Sequence, residues 1–203
     1  MNTAPFEIIA GPIEAYIAPV GTAFPAIDAA PAGPWALIGA TGSENYDEQG
    51  VKIAHSQDVK AFKSLGLTGA KKAFRENEGL TVGFTLFDLQ LEQYSLALAG
   101  TTVATTAAGV GTAGSKALPF YRGHDVALHA LLLRGAYSPY GDAMNLQYQM
   151  PVCYLNSSPE PVFKKGDPAG LAFEYMALVD PSAATAAARF GQLVIQHQAP
   201  LEE

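Results

Sequence analysis

The sequence predicts a mainly β fold, an antiparallel β-sandwich or barrel with one flanking α-helix and long loops. Three observations predict it. Apolar and polar residues alternate with period two over most of the chain, a single stretch has helical spacing, and Gly- and Pro-rich segments punctuate the alternation at short intervals. The 203 residues suit one domain over 1–203, in which folding buries roughly 70% of the extended surface.

The opening strand candidate is 13–18, and the Pro, Ala and Gly tract over 22–34 reads as a long loop. Further candidates are 35–40, 50–55, 59–68 and 70–76, with the stretch of about 56–76 forming an extended loop or hairpin. The clearest alternation follows. Leu80, Val82, Phe84 and Leu86 fall on one face against Thr81, Gly83, Thr85 and Phe87, which is the pattern of a half-buried strand.

The helix is expected at about 88–99, opened by a capping Asp88 and closed by Gly100. Leu91, Tyr94 and Leu98 share one face at helical spacing, while Glu92 and Gln93 point to water, so the helix should lie against the sheet. The Gly, Ala and Thr tract over 101–116 lacks periodicity and reads as a mobile loop. Strand candidates resume at 126–134 and 146–154. In the second, Leu146, Tyr148, Met150, Val152 and Tyr154 oppose Gln147, Gln149, Pro151 and Cys153, and Pro151 predicts an edge or a bulge. The last candidates are 171–179 and 192–197, the latter within a C-terminal arm of about 180–203.

Composition narrows the function classes. Only 15% of residues are charged, against about 25% in an average globular domain, which points to surface that meets protein. The net charge is −7, and the 12 basic residues are scattered apart from Lys71-Lys72 and Lys164-Lys165, so no basic stripe predicts tight nucleic-acid binding. No apolar window is long enough to predict a membrane anchor and no charged leader is evident, so a soluble cytosolic chain is expected. The single cysteine, Cys153, cannot form an internal disulfide and reads as a core residue.

Catalytic constellations are not recognised, and no enzyme activity, cofactor or metal is expected. Gly109-Val-Gly-Thr-Ala-Gly114 matches the dinucleotide fingerprint in letters, but it lacks the preceding strand and following helix that give the motif its phosphate site. His124 and His129 are five apart and fall on opposite faces of a strand or its entry, while His55 and His197 stand alone. Glu44, Asp47 and Glu48 lack calcium-loop spacing and read as a solvated turn. Asn156-Ser-Ser158 fits a glycosylation pattern without a secretory context.

The order of elements over 45–100 is more specific. Gly50-Val-Lys-Ile-Ala-His55 leads through a long loop to a charged turn, Phe74-Arg-Glu-Asn-Glu-Gly79, then to an LTVxFTL strand at 80–86 and a DLxLEQYxxAL helix at 88–98. Together with an opening strand that ends in Tyr16-Ile-Ala-Pro-Val-Gly21, this arrangement resembles the major tail tube protein of long-tailed bacteriophages. The likeness covers about a quarter to a third of the chain. It implies a structural virion protein, assembled in the host cytoplasm, whose homohexameric rings stack into a hollow tail. DNA passes through that lumen without specific binding, and tape-measure, tail-terminator and tail-tip proteins are the implied partners. The segment 59–75 is then the candidate for ring-to-ring contact, through Lys60, Phe62, Lys63, Leu65, Lys71, Lys72, Arg75 and Glu76. The lumen-facing residues are not identified, but net negative charge suits a wall that repels phosphate. The alternative is a monomeric sandwich binding carbohydrate or protein through exposed Trp35, Tyr137 and Tyr140.

Overall fold

The computed structural model describes residues 10–137 and 145–196. The elements are β1 (Ala10–Pro19), β2 (Ala36–Leu37), β3 (Lys52–Phe62), β4 (Lys72–Leu86), α1 (Leu91–Ala97), β5 (Ala104–Thr106), β6 (Ser115–Ala117), β7 (Leu128–Tyr137), β8 (Leu146–Leu155), β9 (Leu171–Ala177) and β10 (Gln192–Ile195). The fold is mainly β. One antiparallel sheet runs in the order β2-β1-β7-β8-β9-β4-β3, with β10 also paired to β8.

Burial follows the alternation predicted for β4, and β9 alternates in the same way. Val82, Phe84 and Leu86 are buried with Leu171, Phe173 and Tyr175, and Phe84 stacks on Phe173 at 5.3 Å between ring centroids. The same cluster contains Ala15 and Ile17 of β1, Leu131 and Leu133 of β7, and Met150 and Cys153 of β8. In a flat sheet β1 and β4 would lie four strands apart, about 19 Å. Tyr46 nevertheless touches both. Its backbone bridges to Leu86, and its hydroxyl accepts from the Ala15 amide at 3.2 Å and donates to the Ile38 carbonyl at 2.8 Å. The sheet is therefore folded over on itself with the core inside the fold, and it does not close into a barrel because β2 and β3 remain its two ends.

β8 is where the sheet forks. Its first half pairs with β10 and its last three residues pair with β9. Between Met150 and Cys153 its register with β7 gains one residue, next to Pro151, which has no amide to donate. The extra residue reverses parity. Tyr148 and Met150 before it and Cys153 and Leu155 after it all meet the main core, so the single alternating face predicted over 146–154 holds only as far as Met150.

The opposite face of this sheet is also covered. Ala18, Ala130 and Leu132 pack against Trp35, which is buried and donates its indole N–H to the Ala23 carbonyl at 3.0 Å. An amide chain runs from the exposed Gln192 to the buried Gln149 and Gln147 (2.9 and 2.8 Å), while the Arg134 guanidinium bonds the Ile27 and Ala29 carbonyls. These side chains hold the Pro, Ala and Gly loop down on the sheet.

Several expectations need correction. The candidate 50–55 and the first four residues of 59–68 belong to one strand that ends at Phe62, the rest of 59–68 being the connecting turn, and 70–76 and 80–86 likewise share one strand from Lys72; the charged segment at 74–79 is strand and not turn. Cross-strand hydrogen bonds continue where no core exists to impose alternation, which is why periodicity alone divided them. Asp88 does not cap α1. Gln90 occupies that position, and Asp88 instead accepts from the Gln90 amide at 3.1 Å and the Ala40 amide at 3.0 Å, tying the helix entry to the β2 side of the fold. α1 does pack on the core through Ala97, with Tyr94 and Leu96 partly buried, but Gln93 turns inward. The tract read as structureless at 101–116 contributes β5 and the start of β6, a small separate hairpin. Of the C-terminal segment, the described residues are held down by β10.

Candidate functional site

β3 and β4 continue beyond the body. The inner half of β4, Thr81 to Leu86, pairs with β9, whereas the outer half pairs with β3 alone. From Gly79 to Lys72 this makes a two-stranded arm about 25 Å long before its connecting turn. Apart from Ser64, every residue from His55 to Glu78 is exposed. An isolated hairpin is marginal in water, so ladder continuity with the body and local contacts keep this one in place.

Those contacts are specific. Register pairs Lys60 with Phe74 and Phe62 with Lys72, so directly opposed residues put two Phe and two Lys on one face of the ribbon. The Lys72 ammonium lies 5.0 Å from the Phe74 ring centroid, and Lys60 pairs with Glu76 at 3.2 Å. Arg75 donates to Gln57 at 3.1 Å and lies 3.6 Å from Glu78. β4 carries one extra residue, Glu76, between the positions opposite Asp58 and Val59, a bulge that strengthens local twist. The turn is closed by the Lys71 amide donating to the Phe62 carbonyl at 2.8 Å, with Lys63 and Leu65 in the loop.

All eight residues named from the sequence thus lie on one arm. Sequence reasoning missed Val59, Leu67 and Phe74, which are exposed at 54%, 54% and 50%. The signal that would have found Phe74 is its spacing of two from Lys72, mirrored by Lys60 and Phe62 across the turn. Charge is also divided unevenly. Residues 55–78 hold five of the chain's 12 basic residues against three of its 19 acidic ones, Asp58, Glu76 and Glu78, so the arm is +2 while the remainder has seven cations against 16 anions.

A second surface lies at the other end of β4. Two adjoining concavities of about 690 and 430 Å³ share Thr85, Ser158 and Ala172 and form a trough over the outward face of β4 and β9. Gly83 and Ala172 give it a low floor. Asp47, Glu160, Asp167 and Glu174 line it against Lys52 and Lys164. Ser157 also lines it, and its hydroxyl is buried without a hydrogen-bond partner. A third cavity, about 750 Å³, lies between the arm base and β10, with Leu80, Met150 and Phe190 in its wall.

Residues considered for chemistry sit in ordinary structural roles. Cys153 is fully buried, its thiol donates to the His129 carbonyl at 3.3 Å, and burial pushes its pKa up to about 12, so it carries little thiolate at neutral pH. Gly109 to Gly114 turns between β5 and β6, so a strand does precede it, but another strand and not a helix follows. His124 lies in the connection before β7 while His129 is within it, half-buried and with its pKa lowered by that burial. Asp47 accepts from the Gln49 amide in a turn, and Asn156 donates to Glu174. Among the described residues no three His, Cys, Asp or Glu converge, and no helix is long and apolar enough to cross a membrane. Trp35 is buried and not a ligand platform; Tyr140, the Tyr137 side chain and His197 lie outside the described residues.

No protein-family model and no curated protein matches the chain.

Proposed function

We propose that this chain is a structural subunit that assembles with copies of itself into stacked rings forming a hollow tube, the role implied by its likeness to tail tube proteins. The observation that carries the reading is the arm. A ribbon that exposes Phe62, Phe74, Leu65 and Val59 to water gains little from its own fold, and apolar side chains grouped this way favour a protein contact. Among the described residues the outer edge of β3 pairs with no further strand, and its lysines discourage indiscriminate pairing while leaving strand addition by a matched partner open. A contact between unlike surfaces closes into a ring when the rotation permits, and a second, axial contact extends it into a filament. The acidic body then suits a lumen along which DNA slides without being gripped.

Negative-stain microscopy of concentrated protein tests this, with rings or tubes about 10 nm wide expected for subunits of this size packed six to a ring. Sedimentation as a monomer at every concentration overturns it.

A further inference from the structure

We infer that the trough over β4 and β9 is the receptor for the arm of a second copy of this chain. The inference rests on the self-assembly reading and adds to it the acceptor surface. Three observations converge. The arm and the trough have opposite net charge, five cations against three carboxylates on 55–78, where Glu76 and Glu78 pair with Lys60 and Arg75, and four carboxylates against two lysines in the trough. Their relief is complementary, because the floor at Gly83 and Ala172 is low enough to take projecting rings such as Phe62 and Phe74, and Phe87 and Val162 are exposed apolar groups beside it. The buried Ser157 hydroxyl, unpartnered in the single chain, supplies a polar group that a docked segment can satisfy.

The contact must be between copies. Phe74 and Thr85 are joined by the continuous strand β4, eleven residues or about 36 Å apart, so an arm cannot fold back to its own trough. Donor and acceptor therefore sit at opposite ends of one rigid element. Each docking event leaves a free arm at one end and a free trough at the other, which is the geometry of an open-ended axial stack.

Zero-length carbodiimide cross-linking of an equal mixture of ¹⁴N- and ¹⁵N-labelled wild-type chains tests the pairing, because mixed-isotope peptides report only intermolecular links. The expected result is mixed links from Lys60, Lys63, Lys71 or Lys72 to Glu160, Asp167 or Glu174. Mixed links from those lysines only to other carboxylates, or no mixed links from the arm, overturn the inference. A charge exchange makes the test independent of chemical reactivity: Lys71→Glu/Lys72→Glu and Glu160→Lys/Asp167→Lys should each weaken self-association at least tenfold and recover it when mixed. A trough variant that associates as well as wild type overturns the acceptor assignment. Tubes formed without arm-to-trough links would leave the tube reading standing and this inference fallen, whereas such links in a chain that never forms tubes would do the reverse.

Discussion

The arm and the body share the strands β3 and β4, yet the two halves of those strands obey different rules. In the body, Val82, Phe84 and Leu86 are buried and their neighbours Thr81, Gly83 and Thr85 face outward, so alternation is enforced by a core. In the arm both faces meet water, and what alternates is chemistry: Lys60 and Phe62 on one strand, Lys72 and Phe74 on the other. A side chain there is not explained by what it contributes to the monomer. Under the proposed assembly role the contrast separates stability and function in space, and substitutions in the two regions should fail in different ways.

The largest expected effect breaks function without touching the fold. Phe62→Ser with Phe74→Ser removes the apolar part of the arm face, and assembly followed by light scattering should be lost while circular dichroism and melting temperature stay near wild type. Exposed substitutions away from special features usually change stability by less than about 0.5 kcal/mol. A collapse of the fold would show instead that the arm is part of the monomer's stability.

The converse comes from Tyr46. Tyr46→Phe leaves the Ala15 amide and the Ile38 carbonyl unpaired in the core, and should cost about 2–4 kcal/mol in urea unfolding with no effect on the arm. Tyr175→Phe is its control. The Tyr175 hydroxyl is buried without a partner, so its removal should be neutral or slightly stabilising. Equal losses in both variants would mean that ring packing and not the hydrogen bonds joins β1 to β4.

Alkaline pH should also act on the body. Burial pushes Cys153 from 9.0 to about 12 and Tyr46 from 10.0 to about 12, and drives Tyr175 upward as well. Folded pKa values above unfolded ones mean that the native state holds more protons in this window. The contribution is full below the unfolded values and is lost as pH rises from about 9 to about 12, with a slope of up to about 1.4 kcal/mol per pH unit per group. Cys153→Ala should flatten the fall of unfolding free energy between pH 9 and 11, whereas a slope equal to wild type would exclude the thiol.

The smallest effect is at the end of α1, where the Gly100 amide bonds the Ser95 carbonyl and the Ala99 amide bonds the Leu96 carbonyl. Ala99 occupies the left-handed region at φ 63°, where a Cβ costs about 1 kcal/mol. Ala99→Gly should therefore raise unfolding free energy by about 0.5–1 kcal/mol and leave assembly unchanged.

Much of this architecture was legible in the chain by itself. The buried face of β4 and the place of α1 follow from local spacing, because a residue's side of a strand or helix is set by its position and its hydropathy. Tertiary structure decided the rest. That 52–55 and 59–62 lie on one strand depends on a partner ten or more residues away; that β1 meets β4 depends on Tyr46 reaching across a folded sheet. The reversal of faces after Pro151, and the amides of Gln147 and Gln149 buried beneath a Gly- and Pro-rich loop, depend on register and on what covers the second face. Periodicity reports whether a side chain is sheltered, but not which distant segment shelters it.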